Sequence, residues 1–203
     1  MKPLPTTPEN LEKAAEIIRN GGVVVYPTET VYGIGCDPAN PEAARRVCDN
    51  KGREDKPLPL ICSDADEAQR IVEFNLAATN LAKKFWPGPL TLVLTAKTRY
   101  TTWVTKGMDT LAVRVPGDEL PRILARLSTG TIVSTSANRT GEPPAMTAEE
   151  AADIPIMDVD MILDGGPSPG GTPSTVLDLT GDHPRILRPG PVSIDEIMEA
   201  LEP

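Results

Sequence analysis

The sequence is poor in the side chains on which many enzymes and metal-binding proteins depend. Its 203 residues include one histidine, three cysteines and only 3% aromatic residues. Cys36, Cys48 and Cys62 are odd in number and lack the spacing of metal ligands, which argues against a disulfide framework and a Cys/His metal site. His183 is the only imidazole base, and Pro184 beside it indicates an exposed turn, so a Ser–His hydrolase triad is set aside.

Positive charge is also scarce, because 20 lysines and arginines face 29 acidic residues and give a formal net charge of -9. Nonspecific nucleic-acid binding needs many basic contacts, and single-strand platforms use stacked aromatic rings. The composition therefore opposes a dedicated nucleic-acid binder but allows a local basic pocket. Met1–Pro5 lacks an apolar signal core, and no run is long enough to span a membrane. We expect a protein of the reducing cytoplasm.

The helix and strand pattern predicts one α/β domain over residues 1–203. Thr7 and Pro8 have the character of an N-cap and a first helical position, Gly21-Gly22 ends that helix, and strand Val23–Tyr26 follows. Later strands are joined by short loops rather than helical crossovers, which predicts a twisted, mixed parallel and antiparallel sheet flanked by helices. The other predicted elements are helices at Pro41–Asn50, Asp64–Val72, Leu76–Phe85, Gly117–Leu127, Thr147–Ala152 and from Ser193, and strands at Leu58–Cys62, Leu90–Thr95, Leu111–Val115, Thr131–Ser134, Asp160–Leu163, Thr175–Leu179 and Arg185–Arg188.

Four short stretches place hydroxyl residues with glycine or proline directly behind apolar, strand-like runs. They are YPTETVYG at 26–33, KGREDKPL at 51–58, STSAN at 134–138 and GGTPST at 170–175. Such turns expose backbone N–H groups and short hydroxyls, while Lys51, Arg53, Arg114 and Arg188 can supply positive charge. The sequence therefore predicts a site for an anionic small molecule. It contains no Walker A, dinucleotide-binding G-x-G-x-x-G or H-E-x-x-H motif.

Seven short motifs resemble, in the same order, those of the YrdC-like threonylcarbamoyl-AMP synthases. They are YPTETVYG at 26–33, KGR at 51–53, WPGPLT at 86–91, AVRVP at 112–116, SAN at 136–138, PSTV at 173–176 and LRPG at 187–190. Seven ordered motifs arise by chance far less easily than any one of them. The resemblance implies a YrdC-like fold with a concave substrate site. Because the chain ends soon after the last motif, we expect the short, single-domain form of the family.

The resemblance also implies a nucleotidyltransferase that makes L-threonylcarbamoyl-AMP and pyrophosphate from L-threonine, bicarbonate or CO2, and ATP. A downstream tRNA-modifying transferase complex would receive this intermediate for the threonylcarbamoyl-adenosine modification of tRNA. Attack of a threonine carbamate on the α-phosphorus needs positioned phosphates and a positioned carboxylate rather than a protein nucleophile, which suits a chain without a candidate histidine base. Mg²⁺ is expected with ATP, held by phosphate oxygens and water.

The resemblance assigns site residues position by position. The implied ATP-binding residues are Lys51, Arg53, Thr110, Ser136, Asn138 and Arg188, with Lys51 and Arg53 also as the catalytic pair. The implied L-threonine-binding residues are Thr28, Tyr32, Arg114, Ser134 and Ser174. Arg114 would hold the carboxylate in a bidentate fork, which a lysine ammonium cannot do. No protein ligand to a metal is expected.

Simpler interpretations exist for each residue taken alone. Short hydroxyls commonly cap helices or tighten turns, and Arg114 or the pair Lys51 and Arg53 could lie in solvent. The repeated occurrence of these hydroxyl and cationic residues in the ordered motifs favours a substrate-binding site. Two other functions stay open: a non-catalytic RNA- or tRNA-binding module with a basic concave patch, which composition disfavours, and a carbamoyl-phosphate-using or hydrolytic relative, which would normally belong to a larger chain with Cys/His zinc segments. Weak RNA binding and the preference for threonine over serine are also left open.

Overall fold

The structure is a computed structural model that describes residues 1–52, 55–155 and 157–202. Its helices are α1 Pro8–Arg19, α2 Pro41–Lys51, α3 Ala65–Ile71, α4 Leu76–Phe85, α5 Thr102–Thr105, α6 Glu119–Leu127, α7 Ala148–Ala152 and α8 Ile194–Leu201. Its strands are β1 Leu4–Pro5, β2 Val24–Tyr26, β3 Gly33–Gly35, β4 Leu60–Cys62, β5 Leu90–Thr95, β6 Thr110–Arg114, β7 Thr131–Val133, β8 Thr135–Ser136, β9 Met161–Asp164, β10 Thr175–Asp178 and β11 Arg185–Arg188.

The strands form two mixed sheets flanked by helices, which confirms the predicted α/β fold class. One sheet has the order β1-β9-β2-β3-β8, and the other has the order β11-β10-β5-β6-β4-β7. Parallel pairs such as β4 with β6 stand beside antiparallel pairs such as β5 with β6. Only Ser134 separates β7 of the second sheet from β8 of the first. The two sheets therefore meet within one of the hydroxyl-rich stretches.

The helix ends follow from capping residues that are visible in the sequence. Thr7 Oγ1 accepts a hydrogen bond from the Asn10 backbone N–H at 3.2 Å, and Pro8 occupies the first helical position. Helix α2 ends at Gly52, whose φ of 58° is the left-handed conformation that glycine adopts at little cost. Lys51 is consequently fixed as the last residue of α2. Within the part of the chain that the structure describes, no helix combines the length and apolar character needed to cross a bilayer.

Four short elements were not predicted, namely β1, β3, α5 and β8. The sequence of β3, Gly-Ile-Gly, carries little strand propensity, and tertiary packing determines its conformation. A β-carbon built on Gly35 would lie 2.3 Å from the Val133 carbonyl oxygen, so only glycine allows β3 to approach the end of β7 this closely. This approach holds the stretch 26–33 against the stretch 134–138.

Two apolar clusters support these strands. The smaller one packs α1 and α6 against β2 and β9 and includes Ile18, Leu124 and Leu163. The larger one spans most of the other elements, and its buried members include Leu60 and Leu92. Because both clusters are close-packed, strand ends that carry polar residues have little freedom to shift. The polar stretches therefore lie on a rigid frame.

Candidate functional site

A buried lysine joins α2 to the stretch 134–138. Lys51 is 3% exposed, and its Nζ lies 2.6 Å from the Ser136 carbonyl oxygen, 2.6 Å from Asn138 Oδ1 and 3.2 Å from Ser136 Oγ. Ser136 Oγ in turn donates to Asn138 Oδ1 at 2.6 Å. Three of the predicted ATP-binding residues therefore form one hydrogen-bonded cluster, which we call the lysine cluster. Arg53, the second member of the predicted catalytic pair, lies outside the described residues.

A second cationic group lies at the end of β6. The side chain of Arg114 is 13% exposed, and its Nε donates to the Gly88 carbonyl oxygen at 3.0 Å. Its Nη2 forms an ion pair with Glu29. Burial, followed by the positive charge of Arg188, lowers the pKa of Arg114 to about 10. The guanidinium therefore stays charged at neutral pH.

The contact between Glu29 and Arg114 leaves hydrogen-bonding capacity unused. Both Glu29 carboxylate oxygens and Arg114 Nη2 are buried, and apart from the ion pair between them none of the three makes a hydrogen bond within the described ranges. Most buried polar atoms in proteins have at least one hydrogen-bond partner, so unsatisfied ones call for an explanation. Three such atoms at one point indicate a place where a polar ligand or water completes the bonding.

Arg188 and Ser174 extend this group. Arg188 Nη2 donates to the Ser174 carbonyl oxygen at 2.8 Å and to Ser174 Oγ at 3.2 Å. The buried Ser174 Oγ also lies 2.8 Å from Thr91 Oγ1. We refer to Arg114, Arg188 and Ser174 as the arginine cluster. The structure thus places Arg188, a predicted nucleotide residue, beside predicted threonine-binding residues.

The turn after β11 depends on close backbone contact. A β-carbon built on Gly190 would lie 2.3 Å from the Thr175 backbone nitrogen and 2.5 Å from the Pro173 carbonyl oxygen. Such distances are far below van der Waals contact, so any other residue must displace backbone. Gly190 therefore keeps the end of β11 against Ser174 and fixes the arginine cluster.

Tyr26 and Ser134 lie near residues of both clusters. Ser134 is two residues from Ser136, and the buried Tyr26 hydroxyl lies near both Ser134 and Arg114. Burial raises the pKa of Tyr26, so its hydroxyl is a neutral polar group at physiological pH. In the first sheet Tyr26 pairs with Gly33, which pairs with Ser136. The Tyr26 hydroxyl therefore lies near Arg114 of the arginine cluster, and its strand is linked through Gly33 to Ser136 of the lysine cluster.

Thr28 takes part in a local turn. Its Oγ1 donates to the Val31 carbonyl oxygen at 2.6 Å and accepts from the backbone N–H groups of Thr30 and Val31 at 3.2 and 3.3 Å. This is the usual local bonding of a threonine hydroxyl in a turn. The turn contains Glu29 and holds its backbone in place.

Two further predicted residues occupy different positions. Tyr32 is fully buried, and its hydroxyl donates to the Gly166 carbonyl oxygen at 2.8 Å, so it braces the loop beside the stretch 26–33. Thr110 begins β6 at the opposite end from Arg114. At about 3.3 Å per residue the two lie roughly 13 Å apart along the strand. No hydrogen bond between described residues joins Thr110 to either cluster.

A cavity opens beside this site, with a volume of about 510 Å³. Its wall includes Thr28, Glu29, Gly117 and Ser168. This volume falls within the range of small-ligand sites. The Ser168 hydroxyl is buried and makes no hydrogen bond to any part of the chain that is described. The site therefore adjoins space for a small polar molecule.

Two charged residues at the site were not assigned from the sequence. One is Glu29, and the other is Arg139, which is half-buried next to the lysine cluster. A β-carbon built on Gly52 would lie 3.0 Å from Arg139 Nη2, so the guanidinium rests on the end of α2. Among the described residues nothing forms an ion pair or hydrogen bond with that guanidinium. Their positions in the sequence could have indicated them, since Glu29 lies inside one hydroxyl-rich stretch and Arg139 directly follows another.

Comparison with known proteins gives consistent results. The family model described as telomere recombination, which unites Sua5, YciO and YrdC proteins, matches residues 16–190. A threonylcarbamoyl-AMP synthase of Pyrococcus abyssi is 40% identical over 190 residues, covering 93% of this chain and 56% of the relative. A threonylcarbamoyl-AMP synthase of Nitrosococcus oceani is 39% identical over 167 residues, covering 81% of this chain and 90% of the relative.

A solved structure agrees with the sequence comparison. The crystal structure of P. abyssi Sua5 complexed with L-threonine is similar with a TM-score of 0.89 and 38% identity, covering 95% of this chain and 57% of that one. The chain thus spans little more than half the length of the Pyrococcus relative. The family model leaves only a short stretch unmatched at either end of the chain, so the matched region holds all members of both clusters. The chain belongs to the family of Sua5, YciO and YrdC proteins.

Proposed function

We propose that this chain forms L-threonylcarbamoyl-AMP and pyrophosphate from L-threonine, bicarbonate or CO2, and ATP. The observation that carries the proposal is the presence of two cationic clusters, one around Lys51 and one around Arg114, with Tyr26 near Arg114 and paired through Gly33 to Ser136. A polyphosphate and an amino-acid carboxylate are both anions, and each needs its own fixed cation. The names of the relatives, and the L-threonine complexed with P. abyssi Sua5 in its crystal structure, support the same conclusion.

The lysine cluster suits the phosphates of ATP. The ammonium of Lys51 is held by oxygen acceptors on Ser136 and Asn138, so little side-chain entropy remains to be lost when a phosphate binds. Ser136 Oγ and the Asn138 amide add neutral hydrogen-bonding groups beside it. In this arrangement the Lys51 ammonium would stabilise the negative charge that develops on the β-phosphate as pyrophosphate leaves.

The arginine cluster suits the carboxylate of threonine. Arg114 has its Nε fixed by Gly88 and its Nη2 paired with Glu29, so a substrate carboxylate that takes a bidentate contact on the terminal nitrogens would share Nη2 with Glu29. Arg188 adds a second positive charge through its anchorage on Ser174. Placing the amino acid beside the nucleotide makes the reaction effectively intramolecular, which can supply on the order of 7–11 kcal/mol of the barrier.

The chemistry then needs no covalent enzyme intermediate. The neutral amino group of threonine forms a bond to the carbon of CO2 and releases one proton to solvent, giving a carbamate. A carbamate oxygen attacks the α-phosphorus while the bond to the β-phosphate oxygen breaks and pyrophosphate leaves. The chain contributes position and charge, and neither cluster contains a histidine.

Mg²⁺ is proposed to enter with ATP. The described residues include no group of three or more His, Cys, Asp or Glu side chains able to hold a metal ion. A Mg²⁺ ion carried by phosphate oxygens and water would need no protein ligand, and it would neutralise part of the triphosphate charge. The product is proposed to pass to a tRNA-modifying transferase, and the net charge of -9 favours this enzyme over an RNA-binding module.

Pyrophosphate release tests the proposal. The assay contains ATP, Mg²⁺ and bicarbonate with L-threonine, L-serine or no amino acid, and compares wild type with Lys51→Ala and Arg114→Ala. Lys83→Ala, at an exposed position of α4, is the matched control. We expect threonine-dependent release that is lost in both site variants and kept in the control. A single methyl group supplies about 1–3 kcal/mol, so serine should support slower release. Release that ignores the amino acid would contradict the proposal.

A further inference from the structure

We infer that Glu29 binds the α-ammonium group of the amino-acid substrate, so that Glu29 and Arg114 together form a site for a zwitterion. The inference rests on the proposed function, which requires an amino acid at Arg114. That function assigns a partner to the substrate carboxylate and leaves the positive nitrogen without one. Glu29 is the acidic side chain that touches Arg114.

The geometry of the pair matches an amino acid. In any α-amino acid the ammonium and carboxylate groups are bonded to the same carbon, so their binding partners must also be neighbours. Glu29 and Arg114 are in direct contact, with side chains only 28% and 13% exposed. A ligand with both charges can place its carboxylate on the guanidinium while its nitrogen donates to Glu29.

Unused hydrogen-bonding capacity supports this assignment. Apart from the ion pair itself, both Glu29 oxygens and Arg114 Nη2 are buried without hydrogen bonds among the described residues. A buried ion pair without supporting hydrogen bonds recovers little of its desolvation cost. An ammonium group brings three donors and a carboxylate brings acceptors, so a bound amino acid would satisfy these atoms.

The position of Glu29 beside a cavity and the rigidity of its turn also support the inference. Glu29 lines the cavity of about 510 Å³, so its side chain borders space for a small molecule, while its carboxylate oxygens themselves are buried. The turn closed by Thr28 Oγ1 fixes the backbone on both sides of Glu29. A fixed acceptor discriminates between ligands better than a mobile one, since less ordering is needed on binding. This gives Thr28 a positioning role toward the substrate nitrogen.

A competing role for Glu29 predicts the opposite effect. If Glu29 only neutralises Arg114 in the empty site, the substrate carboxylate must displace it, and removal of its charge would strengthen binding. If Glu29 binds the ammonium group, removal of its charge weakens the binding of amino acids and spares ligands that lack the amine. The sign of the change and its dependence on the amine separate the two roles.

The experiment compares two ligands on three proteins by ligand-observed NMR titration. The ligands are L-threonine and 3-hydroxybutyrate, which is threonine without its α-amino group. The proteins are wild type, Glu29→Gln and the exposed control Glu73→Gln. In Glu29→Gln we expect L-threonine to bind roughly 10- to 150-fold more weakly, as for loss of one charge-assisted hydrogen bond, while 3-hydroxybutyrate changes less than about twofold.

Other outcomes overturn the inference. Tighter binding of both ligands by Glu29→Gln would assign the counter-ion role, and an equal loss for both would assign a purely structural one. Glu29→Asp, which keeps the charge, should retain part of the preference for threonine, and it remains informative if the glutamine variant is poorly folded. If wild type shows threonine-dependent pyrophosphate release but Glu29→Gln keeps the wild-type preference for L-threonine over 3-hydroxybutyrate, only this inference is overturned. If wild type binds neither ligand, both this inference and the proposed function are overturned.

Discussion

Replacing Arg114 with lysine keeps the positive charge and removes the planar fork. The lysine ammonium cannot donate to the Gly88 carbonyl oxygen and at the same time bind a carboxylate through two parallel hydrogen bonds. One charge-assisted hydrogen bond contributes about 1.5–3 kcal/mol, so the KM for L-threonine should rise roughly 10- to 150-fold. The KM for ATP should change less than about threefold, because ATP is assigned to the other cluster.

Steady-state pyrophosphate release, with threonine and ATP varied separately, measures both constants. Arg99→Lys, at an exposed arginine that belongs to neither cluster, is the matched control and should leave both constants unchanged. Thermal unfolding of each variant confirms that the fold is intact. An equal rise in both KM values would refute the assignment of separate anchors. An unchanged threonine KM would refute the role of the Arg114 fork.

Four further results are expected. Asn138→Ala removes an acceptor of Lys51 at 2.6 Å and should weaken ATP binding roughly 10-fold or more, measured by calorimetry, with no effect on threonine binding. Arg139→Ala should weaken the binding of ATP more than that of AMP, since its guanidinium lies beside the lysine cluster, and an equal loss for both nucleotides would contradict this. Gly190→Ala should lower the free energy of unfolding by about 1–3 kcal/mol in urea titrations, because its β-carbon would overlap the Thr175 nitrogen. The native protein should react with a thiol reagent at none of its three buried cysteines until denatured, because burial raises the pKa of Cys62 to about 12 and that of Cys36 further. Rapid labelling of the native protein would show that these thiols are accessible.

The fold could be predicted from local signals wherever those signals are strong. Thr7 with Pro8, Asn40 with Pro41 and Ser193 each begin a helix as capping rules require. Strand β3 was missed because its conformation comes from contact with β7 at Gly35 rather than from residue preference. The division into two sheets was also missed, since one residue, Ser134, separates strands that belong to different sheets.

The sequence predicted which residues form the site more completely than it predicted which of them are in contact. The ordered motifs indicated Lys51, Ser136 and Asn138, and the structure joins these three by hydrogen bonds. The grouping of Arg188 with Ser174 depends on pairing between β10 and β11, which no local pattern reveals. The contact between Glu29 and Arg114 joins residues 85 positions apart and could be found only after folding brings them together.

Product identification with ¹³C-labelled bicarbonate tests the central claim most directly. Wild-type protein is incubated with ATP, Mg²⁺, L-threonine and the labelled bicarbonate, and the products are separated by mass spectrometry. The account predicts a compound that contains AMP, threonine and the labelled carbon, formed in equal amount to pyrophosphate. AMP and pyrophosphate without that compound, or ADP and phosphate in their place, would contradict it.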